Sequence, residues 1–97
     1  MGRSAKTVAV IGAGMAGLAA AIDLAARGVR VVVMERDTAP GGKMREVVVA
    51  GRRIDAGPTV LTLRHVFDEL FDHAGARLED YVELRPASVL ARHAWNT

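Results

Sequence analysis

Residues 7–35 read TVAVIGAGMAGLAAAIDLAARGVRVVVME, and this stretch decides the fold of the chain. Its opening run, Thr7 to Ile11, is rich in β-branched residues and apolar on both faces, which predicts a strand inside a parallel sheet. The run from Arg30 to Met34 has the same character. From Met15 to Ala26, apolar residues recur with the period of a helix. The stretch therefore predicts an α/β fold built on a β-α-β unit, whose crossover connection is right-handed.

The turn between the first strand and the helix carries the pattern G-x-G-x-x-G. It reads Gly12-Ala13-Gly14-Met15-Ala16-Gly17, and Glu35 follows at the end of the second strand. A strand before this pattern, a helix after it and an acid further on together predict a dinucleotide site. In such a site the first glycine permits a tight turn, the second lets backbone approach a pyrophosphate, and the third brings the helix close to the sheet. The helix N-terminus directs its N–H groups at the phosphates.

Glu35 is the candidate for recognition of an adenosine ribose. Its carboxylate is expected to accept hydrogen bonds from the ribose hydroxyls and to repel a 2′-phosphate, which argues against NADP. The adjacent Arg36 argues in the opposite direction. A structural alternative is that the glycines serve only the tight turn and that Glu35 is a solvated strand end. The pattern alone leaves FAD and NAD open.

A second glycine pair follows in Pro40-Gly41-Gly42-Lys43. Its position soon after Glu35 predicts that it lies at the carboxyl edge of the sheet, where dinucleotides bind in such folds. Bare backbone at Gly41 and Gly42, with the charge of Lys43, suits contact with the phosphates or sugar of a cofactor. The alternative is a plain surface turn.

Beyond Lys43 the pattern predicts further elements. A short hairpin is expected from Arg45 to Asp55, with Gly51-Arg52-Arg53 as its turn. A second amphipathic helix is expected from about Thr62, ended by Gly75. One helical turn is expected at 79–82 and a last strand at 88–95.

Composition excludes several classes of protein. The 97 residues are 51% hydrophobic and 25% charged, which is typical of a globular chain. The absence of cysteine excludes disulfides and thiolate metal sites, and the three histidines lack the spacing of metal ligands, so no metal site is predicted. The 13 Lys and Arg are scattered, so we expect no nucleic acid partner. The uncharged run at 7–22 is interrupted by glycines and too short to span a bilayer.

Two sets of residues carry a family resemblance. The segment Val10 to Lys43 resembles the N-terminus of FAD-dependent oxidoreductases of the amine oxidase and phytoene desaturase type. The continuation resembles bacterial carotenoid desaturases and is similar to the 1-hydroxycarotenoid 3,4-desaturases, also called methoxyneurosporene dehydrogenases. The segments that carry this second likeness are Asp55–Thr62, Arg64–Val66, Gly75–Arg77 and Leu90–Trp95. The resemblance covers nearly the whole chain from Thr7.

The resemblance implies FAD as the cofactor and identifies the segments that bind it. The implied binding residues of the first loop and of the ribose site are Gly12, Ala13, Gly14, Met15, Ala16, Gly17, Glu35 and Arg36, the last beside the adenine. Those bordering the middle of the cofactor are Gly41, Gly42 and Lys43, and those near the isoalloxazine ring are Gly57, Pro58 and Thr59. The resemblance identifies no catalytic residue in this chain.

The resemblance also implies how the chain is organised and what it acts on. Residues 1–97 are expected to be the N-terminal part of the FAD/NAD(P)-binding domain of a larger two-domain flavoprotein, inactive without the substrate domain. The expected substrate is an apolar carotenoid. The expected location is cytoplasmic, with peripheral contact at the inner membrane made by regions beyond this chain. Two alternatives remain, another flavin oxidoreductase of the amine oxidase superfamily and a non-catalytic, truncated dinucleotide-binding module. Oligomeric state is not predicted.

Overall fold

The fold begins with the predicted β-α-β unit. The computed structural model describes residues 6–96. Strand β1 is Thr7–Ile11, helix α1 is Met15–Ala26 and strand β2 is Arg30–Met34. The two strands are parallel and opposite each other along their whole length, and α1 packs on them. These bounds match the sequence prediction because the apolar periods of both strands and of the helix are uninterrupted.

Helix α1 ends as its sequence predicts. Gly28 has a φ of +82°, and its N–H donates to the Ala25 carbonyl oxygen at 3.0 Å. A positive φ is favourable for glycine because it has no Cβ, so Gly28 stops the helix and turns the chain toward β2. One turn earlier, Asp23 and Arg27 form the expected i,i+4 ion pair at 3.2 Å.

The second pair of strands is an antiparallel hairpin. Strand β3 is Glu46–Val49 and strand β4 is Arg52–Asp55. The turn is Ala50 and Gly51, with φ values of 50° and 77°, as a two-residue hairpin turn of the primed type requires. The predicted hairpin and the glycine in its turn are confirmed, and only the bounds of the turn were wrong, because two residues with positive φ reverse the chain and leave Arg52 and Arg53 to join β4.

A second helix, α2, spans Arg64–His73. It begins two residues later than predicted because Leu63 has left-handed backbone, with φ 55° and ψ 50°. Gly75 ends it as expected, with a φ of +73° and its N–H donating to the Asp72 carbonyl oxygen at 3.0 Å. The helical turn that follows is a 3-10 turn at Leu78–Asp80, one residue earlier than the sequence predicts.

The prediction of a strand at 88–95 was wrong. Within the described part of the chain, the strands pair as β1 with β2 and as β3 with β4, and residues 88–95 have no strand partner. A strand needs a neighbour for its backbone hydrogen bonds, and apolar alternation alone cannot supply one. Trp95 at the end of this segment is 82% exposed.

The described residues form only a partial core. Among residues 6–96, the buried apolar residues are Ala13 and Leu78. Ile11 is 78% exposed and Val48 is 68% exposed, although both belong to strands or their ends. No helix within 6–96 has the length and apolar character needed to cross a membrane.

Candidate dinucleotide-binding site

The G-x-G-x-x-G turn is held tightly against the sheet. Gly12 has a φ of +102°, and its N–H donates to the Met34 carbonyl oxygen at 2.7 Å, which ties the turn to the end of β2. A Cβ on Gly17 would overlap the Gly12 carbonyl oxygen. The first glycine is therefore needed for its backbone conformation and the third for the close approach of α1, as the sequence predicts.

Gly14 differs from its two neighbours in the motif. It is the N-cap of α1, with φ −80° and ψ −171°, which any residue can adopt. A Cβ on Gly14 would meet the Gly42 Cα at 3.9 Å, an ordinary contact. The fold itself therefore does not require glycine at this position, and the predicted close approach of a pyrophosphate to the Gly14 backbone stays a prediction.

The N-terminus of α1 fits an anion. No side chain caps it, and its first turn contains no acidic residue. The N–H groups of the first turn have no acceptor within the helix, and the helix dipole is positive there. A phosphate group is the ligand that satisfies such donors. The region at Gly14, Met15 and Ala16 therefore fits the pyrophosphate of a dinucleotide.

The second glycine pair forms a wall of the same site. The Gly41 N–H donates to the Ala13 carbonyl oxygen at 2.8 Å, and a Cβ on Gly42 would lie 3.0 Å from the Gly14 Cα. Gly41 and Gly42 both have positive φ, 124° and 61°. The segment is therefore packed against the first glycine turn and is not a separate surface turn.

Gly57 joins a third segment to this site. A Cβ on Gly57 would overlap the Lys43 carbonyl oxygen, and the neighbouring Ala56 N–H donates to the Arg45 carbonyl oxygen at 2.8 Å. Gly57 thus packs against the backbone behind Lys43, and the residues after it, Pro58 and Thr59, reach the cleft.

These three segments enclose one cleft of about 980 Å³. The predicted site residues that line it are Gly12, Gly14, Met15, Ala16, Gly17, Gly41, Gly42, Lys43, Pro58 and Thr59. Its apolar wall includes Met44, Val60, Leu61, Leu63, Val66 and Phe67. The structure therefore brings most of the predicted site together around a space that is polar at the glycine turns and apolar beyond them.

Glu35 and Ala13 lie on the other side of the glycine turn, in a smaller cavity of about 260 Å³. The Glu35 carboxylate is half-buried, and its Oε1 accepts the Ala13 N–H at 2.8 Å while its Oε2 accepts the Asp37 N–H at 2.8 Å. Glu35 is therefore bonded to two backbone amides, and its predicted role toward a ribose stays a prediction. Arg36 is exposed, and its charge acts on the Glu35 carboxylate.

The comparison with protein families agrees with this geometry. The NAD(P)-binding Rossmann-like domain family matches residues 10–75, which include both glycine segments and Gly57. This chain belongs to that family.

Curated relatives of this Rossmann-like domain are carotenoid desaturases. A hydroxyneurosporene desaturase of Rubrivivax gelatinosus is 56% identical over 88 residues, which are 91% of this chain and 17% of the relative. That of Rhodobacter capsulatus is 57% identical over 93 residues, 96% of this chain and 19% of the relative. An all-trans-zeta-carotene desaturase of Myxococcus xanthus is 44% identical, over 98% of this chain and 19% of the relative. The resemblance to carotenoid desaturases is thus confirmed, and the chain spans less than a fifth of these relatives' length.

Sequence reasoning missed the apolar wall of the Rossmann-like domain's cleft. The stripe containing Val66 and Phe67 predicts a helix that packs on a core, and both residues also line the cleft. The signal available was the apolar pair Val60-Leu61 directly after Pro58-Thr59. Their role could not be predicted because Leu63, whose backbone is left-handed, changes the direction of the chain before α2. Nothing in the sequence marks this residue as left-handed.

The carboxyl group of Glu35 is expected to titrate below its ordinary pKa of 4.5. The Ala13 N–H lowers the pKa most, followed by the Asp37 N–H, because both hydrogen bonds favour the charged form. The resulting stabilisation is complete above the unfolded pKa and is lost as the pH falls through the lowered folded value. Carbon-13 NMR of the selectively labelled Glu35 carboxyl measures this midpoint. The same carboxyl in denaturing urea should return to its ordinary value, and a folded midpoint at or above 4.5 contradicts the hydrogen bonds.

Proposed function

We propose that this Rossmann-like domain binds FAD and is the cofactor-binding part of a desaturase that introduces a double bond into a 1-hydroxycarotenoid. One observation carries the proposal. Two glycine turns meet at Gly14 and Gly42 and open onto a single cleft whose far wall is apolar. The names of the relatives, hydroxyneurosporene desaturases among them, support the choice of substrate class.

The proposed placement of the cofactor follows the chemistry of the lining. The pyrophosphate lies at the amides of Gly14 to Gly17, where the helix N-terminus attracts an anion. The adenosine ribose binds the remaining lone pairs of the Glu35 carboxylate. The isoalloxazine ring lies toward Pro58 and Thr59.

FAD is preferred to NAD because of the residues that line the cleft beyond the proposed phosphate site. The cleft continues past Lys43 to an apolar wall that contains Met44, Val60 and Leu61. The dimethylbenzene edge of an isoalloxazine ring gains free energy by leaving water for such a surface, and the smaller nicotinamide ring buries less apolar area there. A 2′-phosphate on the ribose would be repelled by Glu35, which disfavours NADP.

FAD, when bound, supplies the two-electron acceptor that removal of two hydrogens from a polyene requires. The residues of this chain hold and shield it. Lys43 lines the cleft, where its positive charge would attract the pyrophosphate, and the apolar wall would shield one side of the ring from water. No side chain of the described residues is assigned a role in breaking the carbon–hydrogen bonds.

An apolar polyene partitions into bilayers, so we also propose peripheral contact with a membrane. Helix α2 is a poor candidate for that contact because its polar side chains include Asp68, Glu69 and Asp72, which anionic lipids repel. We therefore do not assign the proposed membrane contact to α2.

The proposal is tested with the purified full-length protein of which this chain is the cofactor-binding part, called the full chain from here on. We expect it to carry oxidised flavin absorbance, and we expect anaerobic addition of a 1-hydroxycarotenoid to bleach the flavin while the polyene absorbance shifts to the red. Both changes should follow the same time course, because one double bond forms for each flavin reduced. Turnover of an amine without the red shift would favour the amine oxidase alternative. Binding of NAD without FAD would overturn the choice of cofactor.

A further inference from the structure

The carboxylate of Glu35 joins two backbone segments that are distant in the sequence. Its Oε1 accepts the N–H of Ala13, between β1 and α1, and its Oε2 accepts the N–H of Asp37, after β2. Each oxygen of a carboxylate has two lone pairs, so each keeps one for a ligand. Binding a ribose and holding the backbone are therefore compatible tasks for this side chain.

Ala13 is the residue through which this contact reaches the phosphate site. It is 3% exposed, its N–H is bonded to Glu35, and its carbonyl oxygen accepts the Gly41 N–H at 2.8 Å. Both backbone polar groups of Ala13 are thus occupied, the N–H by the carboxylate and the carbonyl oxygen by the second glycine turn.

The residues on either side of Ala13 are glycines, restrained by backbone hydrogen bonds and not by side chains: the Gly12 N–H donates to the Met34 carbonyl oxygen at 2.7 Å, and the Gly14 carbonyl oxygen accepts the Leu18 N–H at 3.0 Å. Gly12 and Gly14 flank it, and glycine has access to far more backbone conformations than other residues. The orientation of the amides at the start of α1 therefore depends both on the bond that ties Gly12 to β2 and on what fixes Ala13. Of these restraints, the hydrogen bond from the Ala13 N–H to the Glu35 carboxylate is the charge-assisted one.

We propose that Glu35 is a positioning residue for the phosphate-binding turn, acting through Ala13 before any ligand is present. Its removal then weakens ligands that have a pyrophosphate but no adenosine ribose. A residue that only recognised the ribose would leave such ligands unaffected. The ligand part of this proposal rests on the proposed binding of FAD, and the part concerning the backbone does not.

Binding is measured on the full chain with two probes. One is FAD, and the other is riboflavin 5′-pyrophosphate, which keeps the flavin and the pyrophosphate and lacks the adenosine. We expect Glu35→Ala to weaken riboflavin 5′-pyrophosphate by about tenfold, the typical effect of losing a hydrogen bond to a charged group, and to weaken FAD by more, because FAD also loses its ribose contact. The control is Glu46→Gln, which changes charge equally and removes only an ion pair with Arg53 in the hairpin. A loss for FAD together with unchanged affinity for riboflavin 5′-pyrophosphate would overturn the proposal.

Amide hydrogen exchange tests the same proposal without a ligand. In the cofactor-free full chain, Glu35→Ala should speed exchange of the Ala13 amide by about tenfold, and Glu46→Gln should leave it unchanged. If Glu35→Ala does not fold, Glu35→Gln serves instead, because its single acceptor oxygen must release either the Ala13 or the Asp37 amide. Unchanged exchange at both amides would overturn the proposal. A wild-type chain that binds neither probe would refute the proposed function, and exchange would still decide the role of Glu35.

Discussion

Replacing Gly17 with alanine is expected to weaken FAD binding by about a hundredfold and to lower the stability of the protein. The added Cβ would overlap the Gly12 carbonyl oxygen, which is backbone and cannot rotate away. Helix α1 must therefore move off the turn, and overpacking of this kind costs up to about 3 kcal/mol, or roughly a hundredfold in affinity if the cost falls on the binding conformation. Flavin fluorescence titration and thermal unfolding of the full chain measure the two effects.

Gly14→Ala is the matched comparison for this variant. It adds the same methyl group three residues earlier, where the space beside Gly42 is open and the backbone conformation suits alanine. We expect Gly14→Ala to unfold at the wild-type temperature and to bind FAD at least about tenfold more weakly, because the methyl group occupies the space of the pyrophosphate. Equal unfolding temperatures for the two variants would contradict the close packing of Gly17.

Replacing Gly57 with alanine is expected to destabilise the protein by about 1–3 kcal/mol, the usual range for overpacking. The Cβ would overlap the Lys43 carbonyl oxygen and push the segment after the second glycine pair toward the cleft. FAD affinity should fall as well, because the displaced segment contains Gly42 and Lys43, which line the cleft. Urea denaturation and flavin titration of the full chain check both effects.

Gly51→Asn is the control variant for Gly57→Ala, because it also replaces a glycine but at a position where a side chain has room. Gly51 lies in the hairpin turn with a φ of +77°, and a Cβ there meets no other atom within 4 Å. Asparagine tolerates this backbone region better than most residues, so we expect stability close to wild type and unchanged FAD affinity. If Gly57→Ala behaves like Gly51→Asn, the contact between Gly57 and Lys43 does not determine the shape of the cleft.

The sequence predicted those parts of the fold that depend on neighbouring residues. Strands β1 and β2, helix α1 and the stop at Gly28 all follow from apolar period and from the properties of glycine. The hairpin turn and the start of α2 were misplaced by one or two residues, because left-handed backbone at Ala50 and Leu63 has no marker in residues of those types. The strand expected at 88–95 failed because pairing depends on a partner.

The sequence identified most residues of the candidate site but not how they are arranged in space. The G-x-G-x-x-G turn and the Gly41-Gly42 pair were identified as binding segments, and the structure shows that they touch. Glu35 was expected to face a ribose alone, whereas its two oxygens already hold backbone amides. Gly57 was expected beside the flavin, and it packs behind Lys43. The binding roles of these residues remain predictions.

The sequence by itself determined the β-α-β unit, because apolar periods and glycines act over a few residues and need no distant partner. The tertiary structure alone decided three features of the site: the contact of Gly14 with Gly42, the overlap that excludes a side chain at Gly57, and the bond from the Ala13 amide to Glu35. Each joins segments separated by many residues. A local sequence pattern does not specify contacts between distant segments, because chain closure and packing determine which backbone groups meet.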